Sequence, residues 1–343
     1  MRRFPSEVKT MRIAKPDYFD RFRCIAGDCP DSCCKEWAVQ VDDASAALYR
    51  SLSGPLGDRL REVLCDEDGE TVMTITDSRC PMWRADGLCR IQAELGEEAL
   101  CKTCREFPRL THDYGDFVEL QLELSCPEAA KFILAASRPV QITIQTDDSG
   151  DPEYDQEAMA VLKSTRETVL DILFDPTLTV PEALAAVLLY GCQAQSELDG
   201  DDLQPFDPVH ALESVREFLT AGDLHEMTDF FLTLEILTPE WKVLLKAPNP
   251  APWDDHHRAL ASYLIQRYWL QAVSDYDLYC RVKFIIIACL LTKYLGGDRL
   301  RTPQLFSKEI ENSIDNVEAI LDTAYAHPAF TDSKLLGILL CQP

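Results

Sequence analysis

Apolar residues recur at three- and four-residue intervals through 156–174, 180–196, 208–221, 224–237, 254–273, 277–296, 308–326 and 331–341. Prolines at 176, 181, 205, 239, 248, 250, 252, 303 and 328 punctuate these stretches. The interval puts the apolar side chains on one helical face, and each proline removes the N–H that a continuing helix would need. The second half of the chain therefore reads as an all-helical bundle. No period of about 34 or 40 residues repeats, so a helical solenoid is not expected. The most apolar run, "FIIIACLLT" at 284–292, lies between Lys283 and Lys293. It is far short of the roughly 20 residues that cross a bilayer and reads as a buried helix.

The first half is less regular. "DDASAALYRSLSGPLGDRLREVL" carries helix-start signals and helical spacing, and "GETVMTITD" reads as a short strand pair. Around 139–156 alternating apolar residues run into an acidic loop with glycine and proline, which marks a domain boundary. The expected architecture is mainly α: an irregular cysteine-rich metal-binding domain over 1–145, packed on an all-helical bundle over 146–343.

Charge narrows the partners. The 343 residues carry a net charge of −25, with net −8 in 1–150 and net −17 in 151–343. Such a chain is repelled by polyanions, which argues against nucleic acid or an anionic membrane as partner. The first twenty residues are basic at the start but lack the apolar run of a secretory signal, so the expected location is the cytoplasm.

The chemistry lies in the cysteines. Ten of fourteen fall within the first 126 residues. In a reducing compartment, clustered thiols point to metal binding rather than to a disulfide framework. The spacing is C-x4-C-x3-C-C over Cys24, Cys29, Cys33 and Cys34, then C-x8-C over Cys80 and Cys89, C-x2-C over Cys101 and Cys104, and last Cys126. Separate segments must converge to enclose a metal, and prolines after Cys29, Cys80 and Cys126 fix local turns. Only one C-x2-C knuckle of the kind zinc sites pair is present, and His112 is the only histidine in this half. All-sulfur ligation at irregular spacing favours an iron–sulfur cluster, with zinc as the alternative. The C-x3-C-x2-C signature of radical chemistry fails, because Glu36 stands where its third cysteine belongs. Cys65 has no nearby partner, and Cys192, Cys280, Cys289 and Cys341 sit singly in apolar helical patterns, as core residues do.

Three segments, "FRCIAGDCPDSCCKEWAVQVD" (22–42), "CPMWRADGLCRIQAELGEEALCKTCREFPR" (80–109) and "LELSCPEAA" (122–130), together resemble the FliB-type flagellin lysine N-methylases. The first two also resemble the cysteine-rich zinc- or iron-chelating proteins. The resemblance implies methyl transfer from S-adenosylmethionine to flagellin lysine side chains, with an iron–sulfur (4Fe-4S) or zinc centre. It carries Cys24, Cys29, Cys33, Cys34, Cys80, Cys89, Cys104 and Cys126 as metal ligands, and leaves Cys101 at a position expected to vary. Eight thiols exceed one cluster's four, so either two centres exist or some thiols are structural.

No G-x-G occurs in the chain, so the glycine-rich turn of the commonest S-adenosylmethionine fold is missing. Lysine methylation needs a neutral amine, a donor in line with it and exclusion of water. Tyr18, Asp42, Tyr114 and Glu128 are candidate bases or orienting acceptors. Arg105 and Arg109 are candidate clamps for the cofactor carboxylate, and Trp37 is a candidate cation–π platform. A second class of function uses the same thiols without catalysis, as a chelating or redox-sensing module.

Overall fold

The computed structural model describes residues 11–35, 39–67, 69–75, 77, 79–135, 138–146, 150–201 and 205–341. These residues are mainly helical, with a small strand-containing N-terminal region. The strands are β1 (Met11–Pro16), β2 (Val39–Gln40), β3 (Leu64–Glu67), β4 (Glu70–Met73), β5 (Arg109–Asp113), β6 (Phe117–Leu122) and β7 (Gln141–Thr146). They form a four-stranded sheet of order β5-β6-β1-β7 and a three-stranded sheet of order β2-β4-β3. In the larger sheet β1 runs parallel to β6, pairing from Arg12↔Phe117 to Ala14↔Glu119, and antiparallel to β7 as far as Pro16↔Gln141.

The helices of the first 135 residues are α1 (Asp43–Ser51), α2 (Gly54–Val63), α3 (Arg90–Leu95), α4 (Lys102–Glu106) and α5 (Pro127–Ala135). Beyond β7 follow α6 (Gln156–Leu173), α7 (Val180–Leu198), α8 (Pro208–Arg216), α9 (His225–Phe231) and α10 (Pro239–Lys246). The chain continues through α11 (Asp255–Tyr268), α12 (Leu278–Leu295), α13 (Arg301–Phe306), α14 (Ile314–Thr323) and α15 (Asp332–Leu340). Short polar side chains start many of them: Asp155 accepts from the Glu157 and Ala158 N–H groups of α6, and Asp277 from that of Cys280 in α12. The apolar run at 284–292 lies inside α12, which is buried nearly end to end at the centre of the bundle. None of the helices among the described residues is long and apolar enough to cross a membrane.

Two helices escaped the apolar pattern. α10 and α13 are too short to show a repeat, and Pro239 and Pro303 read as punctuation. Both prolines instead sit in a first helical turn, where the missing N–H has no intrahelical partner to lose. A π-helical turn at Ser307–Glu311 continues α13. The strands β1, β2, β3, β5 and β6 were likewise not expected, although "FVELQL" alternates in part; β6 is buried on both faces, which blurs its period. Of the strand pair read in "GETVMTITD" only β4 forms there, and its partners β2 and β3 come from outside that stretch.

Two apolar cores result. One lies under β2–β4, α1 and α2 and includes Val41, Tyr49, Leu60, Met82, Cys80 and Cys101. The other fills the bundle but also takes in Phe19, Phe22, Leu122, Leu124 and Cys126 from the N-terminal part. Cys280 and Cys289 are buried, as a core role requires, whereas Cys192 is exposed and Cys341 only half-buried.

Gly296 ends α12 with φ +59°, and a Cβ there would lie 1.9 Å from the Asn249 carbonyl oxygen. Backbone strain and the clash act together, so Gly296→Ala is expected to destabilise the fold by roughly 2 kcal/mol or more. A lowered urea midpoint with an unchanged slope would register this loss.

Candidate metal centre

The first cysteine segment is a chain of turns. Cys24 follows a helical turn at Phe19–Arg21, Cys29 follows another at Ala26–Asp28, and the Ala26 N–H approaches Cys24 Sγ at 3.4 Å. The segment lies against the loop between Cys80 and Cys89 by backbone contact. A Cβ on Gly27 would stand 3.0 Å from the Asp86 carbonyl oxygen, and one on Gly87, whose φ is +80°, 3.0 Å from Gly27 Cα. Two glycines thus let the loops touch where any side chain would part them. The Cys80 N–H also donates to the Cys34 carbonyl at 2.7 Å.

Cys101 and Cys104 frame the start of α4, and Asp42 holds that start in place. Its carboxylate caps α1 through the Ser45 N–H at 3.0 Å and accepts from the Lys102 N–H at 2.7 Å. Donation from Lys102 and Ser45 lowers the Asp42 pKa to about 2, so this residue anchors the C-x2-C turn as a carboxylate. Thr103 Oγ1 donates to the Gln40 carbonyl at 2.9 Å and Tyr49 to the Ala99 carbonyl at 2.7 Å, tying the same turn to β2 and α1.

Electrostatic coupling sorts the thiols into two sets. Cys33 feels Cys24 and Cys126, Cys126 feels Cys29 and Cys24, and Cys29 feels Cys24. Cys80 feels Cys34, Cys89 and Cys101, Cys89 feels Cys34 and Cys101, and Cys104 feels Cys101 and Cys34 and also Cys33 of the first set. The adjacent pair Cys33–Cys34 joins the sets, because Cys33 hydrogen-bonds to Cys34. That bond lowers Cys34 to about 7 and raises Cys33; the bond from Cys104 likewise lowers Cys101 to about 7. Burial pushes Cys126 up to about 11 and Cys80 up to about 12. Cys101, set aside by the resemblance, is therefore placed among the other thiols.

The helical bundle reaches into the first set. Asp31, between Cys29 and Cys33, is 6% exposed and meets Arg301 Nη1 at 2.5 Å, Gln304 Nε2 at 3.0 Å and Lys308 Nζ at 3.2 Å. Lys35 Nζ adds a contact at 2.8 Å. Burial raises the Asp31 pKa, but hydrogen bonds from Lys35, Arg301 and Gln304 and the charge of Lys308 more than offset it, leaving the carboxyl well below its usual range. Gln304 Nε2 also donates to the Ser125 carbonyl at 2.6 Å, directly before Cys126. One side chain of α13 thus fastens the segment carrying Cys29 and Cys33 to the one carrying Cys126. Beneath it, Tyr263 accepts from the Leu124 N–H at 3.3 Å and from Arg267 at 2.6 Å, and Glu311 accepts from Tyr268 at 3.0 Å.

The other sequence candidates take local places. Tyr18 is buried and stacks on Phe132, and Tyr114 stacks on Phe117 at 4.6 Å. Glu128 pairs with Lys131 at 2.5 Å in the first turn of α5. Arg105 is exposed on α4, and the Arg109 guanidinium lies 5.2 Å over the Phe22 ring, two residues before Cys24. Trp37 lies outside the described residues.

Among the described residues no three histidine, cysteine or acidic side chains stand in ligating geometry. By donor chemistry alone the thiols fit a thiophilic metal, since those that influence one another are all sulfur and come from separate segments.

No family profile and no solved structure matches the chain. The chain is 31% identical over 134 residues to the lysine-N-methylase of Salmonella typhimurium (strain LT2), covering 37% of this chain and 33% of that protein. The lysine-N-methylase of Salmonella choleraesuis (strain SC-B67) matches with the same identity and coverage. The chain thus spans about a third of the length of these two relatives. The flagellar biosynthetic protein FliU of Salmonella muenchen is 31% identical over 134 residues, with 79% of its length covered. By that likeness over most of FliU, this chain belongs to the flagellin lysine N-methylase family.

Proposed function

We propose that the chain is a protein-lysine N-methyltransferase that moves a methyl group from S-adenosylmethionine to flagellin lysines and holds a cysteine-ligated iron–sulfur or zinc centre. The observation that supports this most is the fastening of Asp31 and Ser125 by Gln304 of α13, which gives the bundle a part in building the thiol site. A chelating module would have no use for two hundred residues of such support. Cys24, Cys29, Cys33 and Cys126 are the residues to hold one centre, with Cys34, Cys80, Cys89, Cys101 and Cys104 around a second. A cluster, when bound, supplies a Lewis-acidic or redox-active iron, and zinc a Lewis acid alone.

The transfer itself requires the lysine nitrogen to give its lone pair to the methyl carbon as the carbon–sulfur bond breaks, leaving a neutral thioether and an ammonium that sheds a proton. The chain's task is to strip water from the amine and hold it in line. Arg109, whose guanidinium lies over Phe22 beside the first cysteine segment, is the residue we assign to clamping the cofactor carboxylate.

The direct test is anaerobic purification followed by metal analysis, a visible spectrum and titration with S-adenosylmethionine, then transfer of labelled methyl to flagellin. The expected result is tightly held metal, saturable cofactor binding and labelled lysine. Labile metal with no cofactor binding and no transfer would overturn the enzyme and leave the chelating or redox-sensing module.

A further inference from the structure

Several lysines pair with carboxylates, as Lys131 does with Glu128 and Lys334 with Glu226. Lys163 of α6 does not. Its Nζ lies 3.6 Å from the centre of the Phe117 ring and 5.9 Å from that of Tyr154, and it makes no hydrogen bond or ion pair among the described residues. The two rings stand at 78° with centres 6.0 Å apart, so they form a corner, and Tyr114 supports Phe117 by stacking at 4.6 Å.

The turn between β5 and β6 builds this corner. The Tyr114 N–H donates to the Phe117 carbonyl at 3.0 Å, and Gly115 turns the chain with φ +89°. A Cβ at Gly115 would stand 2.3 Å from the Asp151 carbonyl oxygen, so the turn sits directly on the segment that leads to Tyr154. The Tyr154 hydroxyl then donates to Asp116 Oδ1 at 2.7 Å, which fixes the second wall. Burial lowers the Lys163 pKa by more than the Asp116 charge raises it, so this amine is neutral more often than an ordinary lysine's. The residue is only half-buried and keeps a way to solvent. Lys293 shares the lowered pKa but meets a single ring, Trp253, at 5.8 Å.

Methylation leaves a lysine charged, removes N–H donors and adds apolar surface. For a lysine that donates to a carboxylate this is a loss. Lys163 has no such bond to lose, and its methyl groups would lie on ring faces that already hold the cation. We propose that Lys163 is a methylation site of this chain, and that the corner of Phe117 and Tyr154 holds the methylated ammonium. The Lys163 ammonium first gives a proton to solvent. The nitrogen lone pair then bonds to the methyl carbon of S-adenosylmethionine as that carbon's bond to sulfur breaks, leaving a neutral thioether and a charged methylammonium. The donor and the enzyme rest on the methylase reading; the place rests on the rings.

The test incubates the full chain with S-adenosylmethionine carrying a deuterated methyl and maps the label by peptide mass spectrometry. Lys163 is expected to carry more label than any other lysine, and Lys163→Arg should lose that label without a gain elsewhere. Tyr154→Leu, which removes one half-buried wall, should cut the labelling of Lys163 severalfold. Formaldehyde with a borane reductant methylates amines without an enzyme, and limiting reagent should convert Lys163 ahead of the ion-paired Lys131 and Lys334. Label spread over many lysines, labelling of Lys163 that survives Tyr154→Leu, or slow chemical conversion of Lys163 would overturn the proposal. Labelled flagellin beside an unlabelled Lys163 would refute this site and leave the methylase standing. Absence of label from flagellin and Lys163 alike, with Lys163 still first to react with formaldehyde, would refute the methylase and leave the amine in its corner.

Discussion

If the proposed function holds and Cys126 is a ligand, Cys126→Ser is expected to lower methyl transfer to flagellin by at least about a hundredfold, since loss of a ligand exceeds the 10–100-fold cost of disturbing a ligand's supporting contacts. Cys126 is buried beside α5, couples to Cys24 and Cys29, and follows the Ser125 carbonyl that Gln304 holds. Serine keeps the volume and removes the sulfur, so the fold is expected to survive. Metal content separates the sets: Cys126→Ser should release only the metal of the first, and Cys89→Ser only that of the second. Equal and complete loss in both variants would mean a single shared centre and sink the division.

Asp31→Ala should act on the same set from a distance. It removes the shared acceptor of Lys35, Arg301, Lys308 and Gln304 from a site where the carboxylate side chain is 4% exposed. Taking one partner from a buried ion pair costs about 3 kcal/mol or more, and here the loss also frees the loop between Cys29 and Cys33. The unfolding midpoint should fall, and metal retention with it. Asp31→Asn keeps a hydrogen-bond acceptor for Gln304 and should fall between the parent and the alanine variant. The pH dependence has a definite sign: the folded pKa lies below the unfolded value of about 3.9, so the stabilisation is complete above that value. It is lost as pH falls through the lower, folded pKa. Urea midpoints at neutral and strongly acid pH should converge for parent and Asp31→Ala; a constant gap would contradict the assignment.

Helical periodicity was legible because it is a local property: a buried face repeats along its own segment, and the helices from 156 onward emerged near their expected positions. The cysteine motifs were legible for the same reason, as spacing needs no partner to be read. α13 was not, since six residues holding a proline carry no period, and its importance lies in contacts some 270 residues away in sequence. Lys163 looked ordinary because the rings of Phe117 and Tyr154 meet it only in the folded chain.

By itself, the sequence determined a helical chain, a thiol-rich first part and a likeness to the flagellin lysine N-methylases. Only the tertiary structure decided which thiols neighbour one another, that Cys101 stands with them, that Asp42 is an anchor, and that the bundle clamps Cys29 and Cys33 to Cys126. The physical reason is range: propensity and spacing act over a few residues, whereas a site is made by burial and charge between segments that meet only in the folded chain.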